Sequence, residues 1–358
     1  MRYELVPQTP EEKAALEQAP HARVLLEPFL PLVIARALMA FVRLGLARAL
    51  AERGKNAAEL AAELGLREDA LQPLLRALVA GGYVTMTHDG AGAEEPRSPR
   101  ARFGLNALSR ATLLDDAPAP LDAWVVHNRV HWRVISSLES VLAADGARDL
   151  HHHLQDAGEW AAYQRAMLQT ARPVAEPVSR LMPEPARREL LLDLGGAHGL
   201  YGAAICRRFA PMRCRVLDLP PALAHARALG QQEGILDLVE YRAGDILQTD
   251  LGTGTCDVVF MGNVVHHIAE GDLAGVLRRV HRALRAGGVV AIWDIAPPPD
   301  RPELDLVAEG FSLLFYLSSA SSCRPPAACV AALNDAGFSG VGIDHGPSPT
   351  HVLITARR

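Results

Sequence analysis

The segment Leu192-Asp193-Leu194-Gly195-Gly196-Ala197-His198-Gly199 joins a short apolar run to a glycine-rich turn. Glycines at 195, 196 and 199 let backbone approach a ligand closely, and a helix entered at such a turn offers unpaired N–H groups beside it. Such a loop is common to all Rossmann-type turns, so the discriminating residue is Asp218, which ends a second apolar run nineteen residues beyond Gly199. An acid at that strand end accepts hydrogen bonds from both hydroxyls of a ribose, which marks a nucleoside ligand. The loop lacks the GxGxxG of dinucleotide sites, and Asp193 stands just ahead of its glycines. A carboxylate there repels phosphate and suits a cationic amino-acid ligand. A third strand ends in Ala243-Gly244-Asp245-Ile246. Asp245 either caps the following turn or accepts from an adenine amino group with Ile246 against the ring, and its company with Asp193 and Asp218 favours the adenine. Leu219, Gly244 and Asn263 flank the same strand ends and complete the candidate nucleoside set.

A second constellation follows the fourth apolar run, in Met261-Gly262-Asn263-Val264-Val265-His266-His267-Ile268. Ligands of open parallel sheets bind at the C-terminal strand edge, and histidine titrates in the range that proton transfer needs at neutral pH.

Both constellations require a sheet to hold them. From Glu189 onward short apolar strands alternate with helical segments, the pattern of βαβ units and a parallel sheet. The strands are expected at 190–194, 215–219, 238–243, 256–261 and 289–294, with two more at 341–345 and 351–356. Upstream, three- and four-residue apolar spacing from Pro28 to about Leu105, punctuated by Gly45, Gly65 and Gly81-Gly82, predicts three short helices. Tyr83–Met86 and Arg102–Leu105 read as two strands around a polar loop, so this region is expected to be a winged helix. Its Glu68–Ala80 helix sets Arg67 and Arg76 against Glu68 and Asp69, too little positive charge for groove binding. Dimerisation is the better reading, with no nucleic-acid partner.

Between Leu121 and Met182 the pattern is helical again and rich in ring side chains: Trp124, His127, His131, Trp132, His151–His153, Trp160 and Tyr163. His127 and His131 share a helix face, but no acidic third ligand sits at a recognisable spacing, so packing histidines are expected and no metal. Trp124, His127, Trp160, Tyr163 and Met167, with Phe311 and Phe315 further on, are the candidate lining for a small-molecule acceptor.

The 358 residues suggest two domains, and 49% apolar content suffices for packed cores. A net charge of -5 gives no general attraction to nucleic acid or anionic lipid. Five cysteines, odd in number and without CxxC spacing, fit neither a disulfide framework nor a zinc cluster and suit a reducing cytoplasm. Glu4, Glu11, Glu12 and Lys13 interrupt any signal-peptide pattern. The apolar stretch Val24–Leu50 carries Arg36, Arg43 and Arg48, and is expected to be a buried or dimer-forming helix rather than a membrane span.

The succession LLDLGGAHG, VLDLP, YRAGDIL, NVVHHI and LRAGGVVAIWD, preceded by a winged helix and closed by LNDAGF (333–338), resembles the dimeric small-molecule O-methyltransferases. That family includes plant caffeate and flavonoid enzymes and bacterial polyketide, phenazine and carotenoid-pathway enzymes. The resemblance covers nearly the whole chain. It implies an α/β fold: a Rossmann-like class I methyltransferase domain with a mostly parallel seven-stranded sheet, and an N-terminal all-helical winged-helix dimerisation domain. It implies S-adenosylmethionine as cofactor and S-adenosylhomocysteine as its product. Gly195 and Gly196 would line the methionine part, Asp218 the ribose, and Asp245 with Ile246 the adenine. Domains are expected at 1–105 (dimerisation), 106–182 (helical linker and acceptor pocket) and 183–358 (catalytic), in a cytoplasmic homodimer joined through the first. The stretch EGFSLLFYLSS (309–319) resembles the roof of the acceptor site in the bacteriochlorophyll and carotenoid branch.

A phenol of pKa near 10 needs a positioned base at neutral pH. His266 matches the family's basic histidine, while His267 stands where the family has Asp and Ile268 where it has Trp. Asp294 matches a glutamate that orients the base, or it simply caps the loop before Pro297. A second family glutamate has no counterpart in Pro325–Cys329. The expected activity is methyl transfer to a hydroxyl of an aromatic or polyketide-like metabolite of secondary metabolism. The alternatives are C-methylation or a non-methylating use of the same cofactor, and, from another class, a winged-helix DNA-binding regulator.

Overall fold

The structure, a computed structural model, describes residues 5–19, 21–88, 101–143, 154, 156–297 and 304–358. The loop between the expected wing strands and the His151–His153 run lie outside these residues. The chain divides into two compact units, Arg2–Arg129 and Val130–Arg358.

In the first unit the helices Phe29–Arg43, Leu46–Ala49, Ala57–Leu64 and Glu68–Ala80 replace the three expected. The extra break falls at Gly45, whose φ of 78° is open to glycine at no steric cost. Asn56 and Glu59 form a reciprocal cap at the start of Ala57–Leu64, each side chain accepting from the other's backbone N–H at 2.8 and 2.9 Å. Strand β1 (Val84–Thr87) pairs antiparallel with β2 (Arg102–Leu105), giving the wing. Leu60, Leu75, Leu78 and Phe103 are fully buried beneath it. Arg67 is exposed and paired with Asp69 at 3.0 Å. Val24, Leu25 and Phe29 are 76%, 66% and 54% exposed, an apolar face left uncovered in a single chain. By length and composition alone the helical stretch His21–Arg43 is long and apolar enough to cross a membrane.

The second unit is built on seven strands: β3 (Leu190–Leu194), β4 (Arg213–Asp218), β5 (Val239–Ala243), β6 (Cys256–Gly262), β7 (Leu284–Ile295), β8 (Ser339–Asp344) and β9 (His351–Arg357). Their order is β5-β4-β3-β6-β7-β9-β8. The first five run parallel, and β9 enters antiparallel beside β7. The order reverses between β3 and β6, and the crevice at their C-terminal ends is where such sheets take ligands. Helices cover both faces, so alternate residues of one strand serve different cores. Leu191, Val258 and Ala291 pack in one core and Leu192, Val259 and Ile292 in the other. By this alternation Asp193 shares the face of Leu191, beneath the Leu200–Arg208 helix, which accounts for its burial.

Candidate active site

A cavity of about 480 Å³ opens at the crevice between β3 and β6. All residues expected to hold the nucleoside line it except Gly199: Asp193, Gly195, Gly196, Asp218, Leu219, Gly244, Asp245, Ile246 and Asn263. Gly199 has a different task. It starts the Leu200–Arg208 helix at φ 80°, and a Cβ there would fall 2.9 Å from Cγ1 of Val239.

Each acid is placed by its own local cause. Asp218 is locked by the loop it faces, Oδ2 accepting from Ala197 N at 2.8 Å and Oδ1 from Leu219 N at 2.7 Å. Asp245 caps the turn, Oδ1 accepting from Leu247 N at 2.8 Å, and the residue also lines the cavity. Asp193 is 1% exposed and its oxygens complete no hydrogen bond among the described residues, the Gly202 N–H being the donor that leans toward it. Burial, and secondarily the charge of Asp218, push its pKa up to about 7. A Cβ on Gly196 would fall 2.4 Å from the Asp193 carboxyl carbon, so only glycine lets the loop fold over this acid.

The two histidines sit in a 3₁₀ turn, Val265–His267, and point in different directions. His266 is buried and turns to β7, where Nδ1 lies 2.5 Å from Asp294 Oδ1 and its backbone N–H donates to Oδ2 at 3.2 Å. Burial alone would raise the Asp294 carboxyl, but the charge and hydrogen bond of His266, with help from His351, hold it below the usual carboxylate range. Asp294 thus does more than cap a loop. His266 does not line the cavity; His267 does. The two Nε2 atoms are 3.1 Å apart, and His267 Nδ1 is 2.7 Å from Ser319 Oγ.

The acceptor candidates divide. Tyr163 and Met167 line the cavity, and Trp160 packs edge-on against Tyr163 at 6.1 Å. Phe315 stacks on the His266 ring at 3.8 Å, with Phe311 against it at 5.7 Å, so both support the histidine rather than line the cavity. Trp124 and His127, with ring centroids 6.3 Å apart, belong to the first unit.

Sequence reasoning missed several residues of the same cavity: Gln164, His198, Tyr201, Asp272 and Ser319. It also missed His351 on β9, stacked on Trp293 at 5.1 Å with Nε2 3.0 Å from Asn263 Oδ1. No group of three or more metal-ligating side chains occurs among the described residues.

Two family models match: an O-methyltransferase domain over residues 123–339 and an O-methyltransferase dimerisation domain over 27–115. The mitomycin biosynthesis 6-O-methyltransferase of Streptomyces lavendulae is 27% identical over 299 residues, 81% of this chain and 82% of its own length. The demethylspheroidene O-methyltransferase of Cereibacter sphaeroides is 26% identical over 328 residues, 88% of this chain and 82% of its own. Among solved structures, human N-acetylserotonin methyltransferase in complex with SAM superposes with a TM-score of 0.79 at 18% identity, covering 99% of both chains. The mitomycin 7-O-methyltransferase MmcR does so with 0.79 at 23%, covering 98% of this chain and all of that one.

The cavity fits that cofactor on its own chemistry. S-adenosylmethionine carries an ammonium and a sulfonium, and Asp193 is a buried acid whose oxygens complete no hydrogen bond among the described residues. Asp218, held by two backbone donors, presents a carboxylate to the cavity, a group that fits ribose hydroxyls. The volume lies within the range of small-molecule sites. The chain therefore belongs to the O-methyltransferase family, with S-adenosylmethionine as its methyl donor.

Proposed function

We propose that this enzyme methylates a hydroxyl of an aromatic or polyketide-like small molecule of secondary metabolism, with the His266–Asp294 pair as the base. The observation that carries this is a histidine locked to a buried carboxylate at 2.5 Å, joined through His267 to the nucleoside cavity. The bound cofactor supplies an activated methyl group. What the chain contributes is alignment of the acceptor oxygen and removal of its proton. Asp294 holds the His266 ring proton on Nδ1, leaving the Nε2 lone pair to take a proton. Names borne by the relatives, a mitomycin and a carotenoid-pathway O-methyltransferase, support an acceptor of this class.

The expected nucleoside residues keep their roles in this reading: Gly195 and Gly196 at the methionine part, Asp218 at the ribose, Asp245 and Ile246 at the adenine. Tyr163 and Met167 face the acceptor. The enzyme acts as a cytoplasmic homodimer, without nucleic acid or membrane, and the uncovered apolar face around Phe29 supports joining of two copies through the N-terminal unit. Incubation with methyl-labelled S-adenosylmethionine and a panel of phenols tests the reading. Label in an ether product supports it; label on carbon, or none with any phenol, overturns it.

A further inference from the structure

His266 has no nitrogen left for an acceptor. Its Nδ1 is committed to Asp294 and its Nε2 to His267, Phe315 covers one face of the ring, and the side chain lies behind the cavity wall. The ring that lines the cavity is His267.

Ring protons can be assigned from the contacts. With Asp294 ionised, His266 must carry its proton on Nδ1, so its Nε2 is a lone pair and the proton between the two rings belongs to His267 Nε2. His267 Nδ1 is then a lone pair that accepts from the Ser319 hydroxyl at 2.7 Å. All three contacts are satisfied in one direction with both imidazoles neutral: Ser319 to His267 to His266 to Asp294. The outer end faces the cavity, because Ser319 lines it too. That hydroxyl is a rotor with a second partner, Ser318 Oγ at 3.4 Å, so it can release His267 Nδ1 without becoming an orphan.

We propose that His267 is the catalytic residue that takes the acceptor's proton, and that it relays charge inward to His266 and Asp294. The inference rests on the O-methyl-transfer reading. As the acceptor O–H bond breaks, its proton goes to His267 Nδ1 and the Nε2 proton of His267 passes to His266 Nε2. The freed oxygen pair forms the bond to the methyl carbon while the carbon–sulfur pair stays on sulfur. One proton ends on the His266–Asp294 pair, where the carboxylate stabilises the imidazolium, and later returns to solvent. Ser319 acts only by holding the receptive tautomer. Other ionisable groups around the relay are His351 beside Asp294, Asp272 across the cavity, and Arg324, which donates to Ile268 O.

The test combines ¹⁵N-histidine spectra with pH profiles. The wild type should show His266 protonated at Nδ1 and His267 at Nε2, and Ser319→Ala should let His267 take the other tautomer. His267→Gln should lower kcat by on the order of 10² to 10⁴ while still binding S-adenosylhomocysteine. Its residual rate should climb with pH toward a phenol's own ionisation near 10, whereas the wild type levels off. A His267→Gln enzyme within about threefold of wild type, well short of the effect of a lost general base, overturns the proposal, as does His267 protonated at Nδ1. The stated tautomers in a wild type that methylates no phenol would support the hydrogen-bonded chain and remove the O-methyl-transfer reading instead.

Discussion

His351 Nε2 lies 3.0 Å from Oδ1 of Asn263, so a residue of the antiparallel strand β9 holds a residue at the tip of the parallel strand β6. Asn263 needs that hold, for its φ of 54° is left-handed, a region that asparagine tolerates better than most. Burial pushes the His351 pKa down to about 4, so the ring stays neutral above that pH and donates from Nε2 while Nδ1 faces Ser348 and Thr350. Replacing His351 by Phe keeps the stack on Trp293 and removes the donor. Loss of one buried hydrogen bond, about 1 to 2 kcal/mol, should weaken S-adenosylhomocysteine binding by roughly five- to thirtyfold in titration calorimetry. An unchanged Kd would deny Asn263 a part in the cofactor site.

Asp193 makes the ligand's affinity depend on pH. Its carboxyl, raised to about 7, must be ionised to pair with a cation. Binding is therefore strongest above pH 7 and falls by up to tenfold per unit as the pH drops through 6, with proton release on binding in that window. Calorimetry in buffers of different ionisation enthalpy measures the released proton. Asp193→Asn should flatten the profile and weaken binding throughout; a flat wild-type profile from pH 5.5 to 8 would contradict the pairing.

Asp218→Ala removes the proposed ribose contact and also frees the N–H groups of Ala197 and Leu219. Two charge-assisted hydrogen bonds at about 1.5 to 3 kcal/mol each put the loss at a hundredfold or more in Kd. Equal binding by mutant and wild type would mean that the nucleoside lies elsewhere.

Asp294→Asn should leave cofactor binding intact, because this side chain does not line the cavity, and lower kcat on the order of 10²-fold or more by unsettling the His266 tautomer. Steady-state kinetics on a phenolic acceptor decide it. A drop confined to KM would assign Asp294 to acceptor binding.

Phe29→Asp with Leu25→Asp places two charges on the exposed apolar face of the first unit. If that face joins two copies, light scattering should give one chain mass for the variant and two for the wild type. A wild type that runs as a single chain removes the homodimer.

The cavity lining was legible because its residues lie at the ends of successive parallel strands, where sequence spacing and sheet geometry coincide. Asp193, Asp218 and Asp245 end or border β3, β4 and β5, and each reaches the same crevice. The His266–Asp294 pair was legible for the same reason, since β6 and β7 are neighbours. What was not legible arrives from far along the chain. Ser319 ends the Leu306–Ser319 helix and His351 opens β9, and nothing local in SLLFYLSS or THVLITA indicates what either meets. Phe315 shows the limit from the other side, because an apolar position near a site fixes neither which ring it covers nor which wall it completes.

The five cysteines are all buried, and burial lifts each thiol, that of Cys206 to about 12 and that of Cys323 to about 11. Thiolate is the reactive form, so the native enzyme should be nearly silent to maleimides and disulfide reagents near neutral pH. Labelling must then wait for opening, and the five sulfurs become reporters distributed through the fold. Cys206 reads the helix over the sheet, Cys214 and Cys256 read β4 and β6, and Cys323 and Cys329 read the segment beside the histidines. Which sulfur reacts first would rank the order in which the enzyme comes apart, and protection of Cys206 and Cys214 by bound cofactor would measure how far the ligand steadies the elements around Asp193.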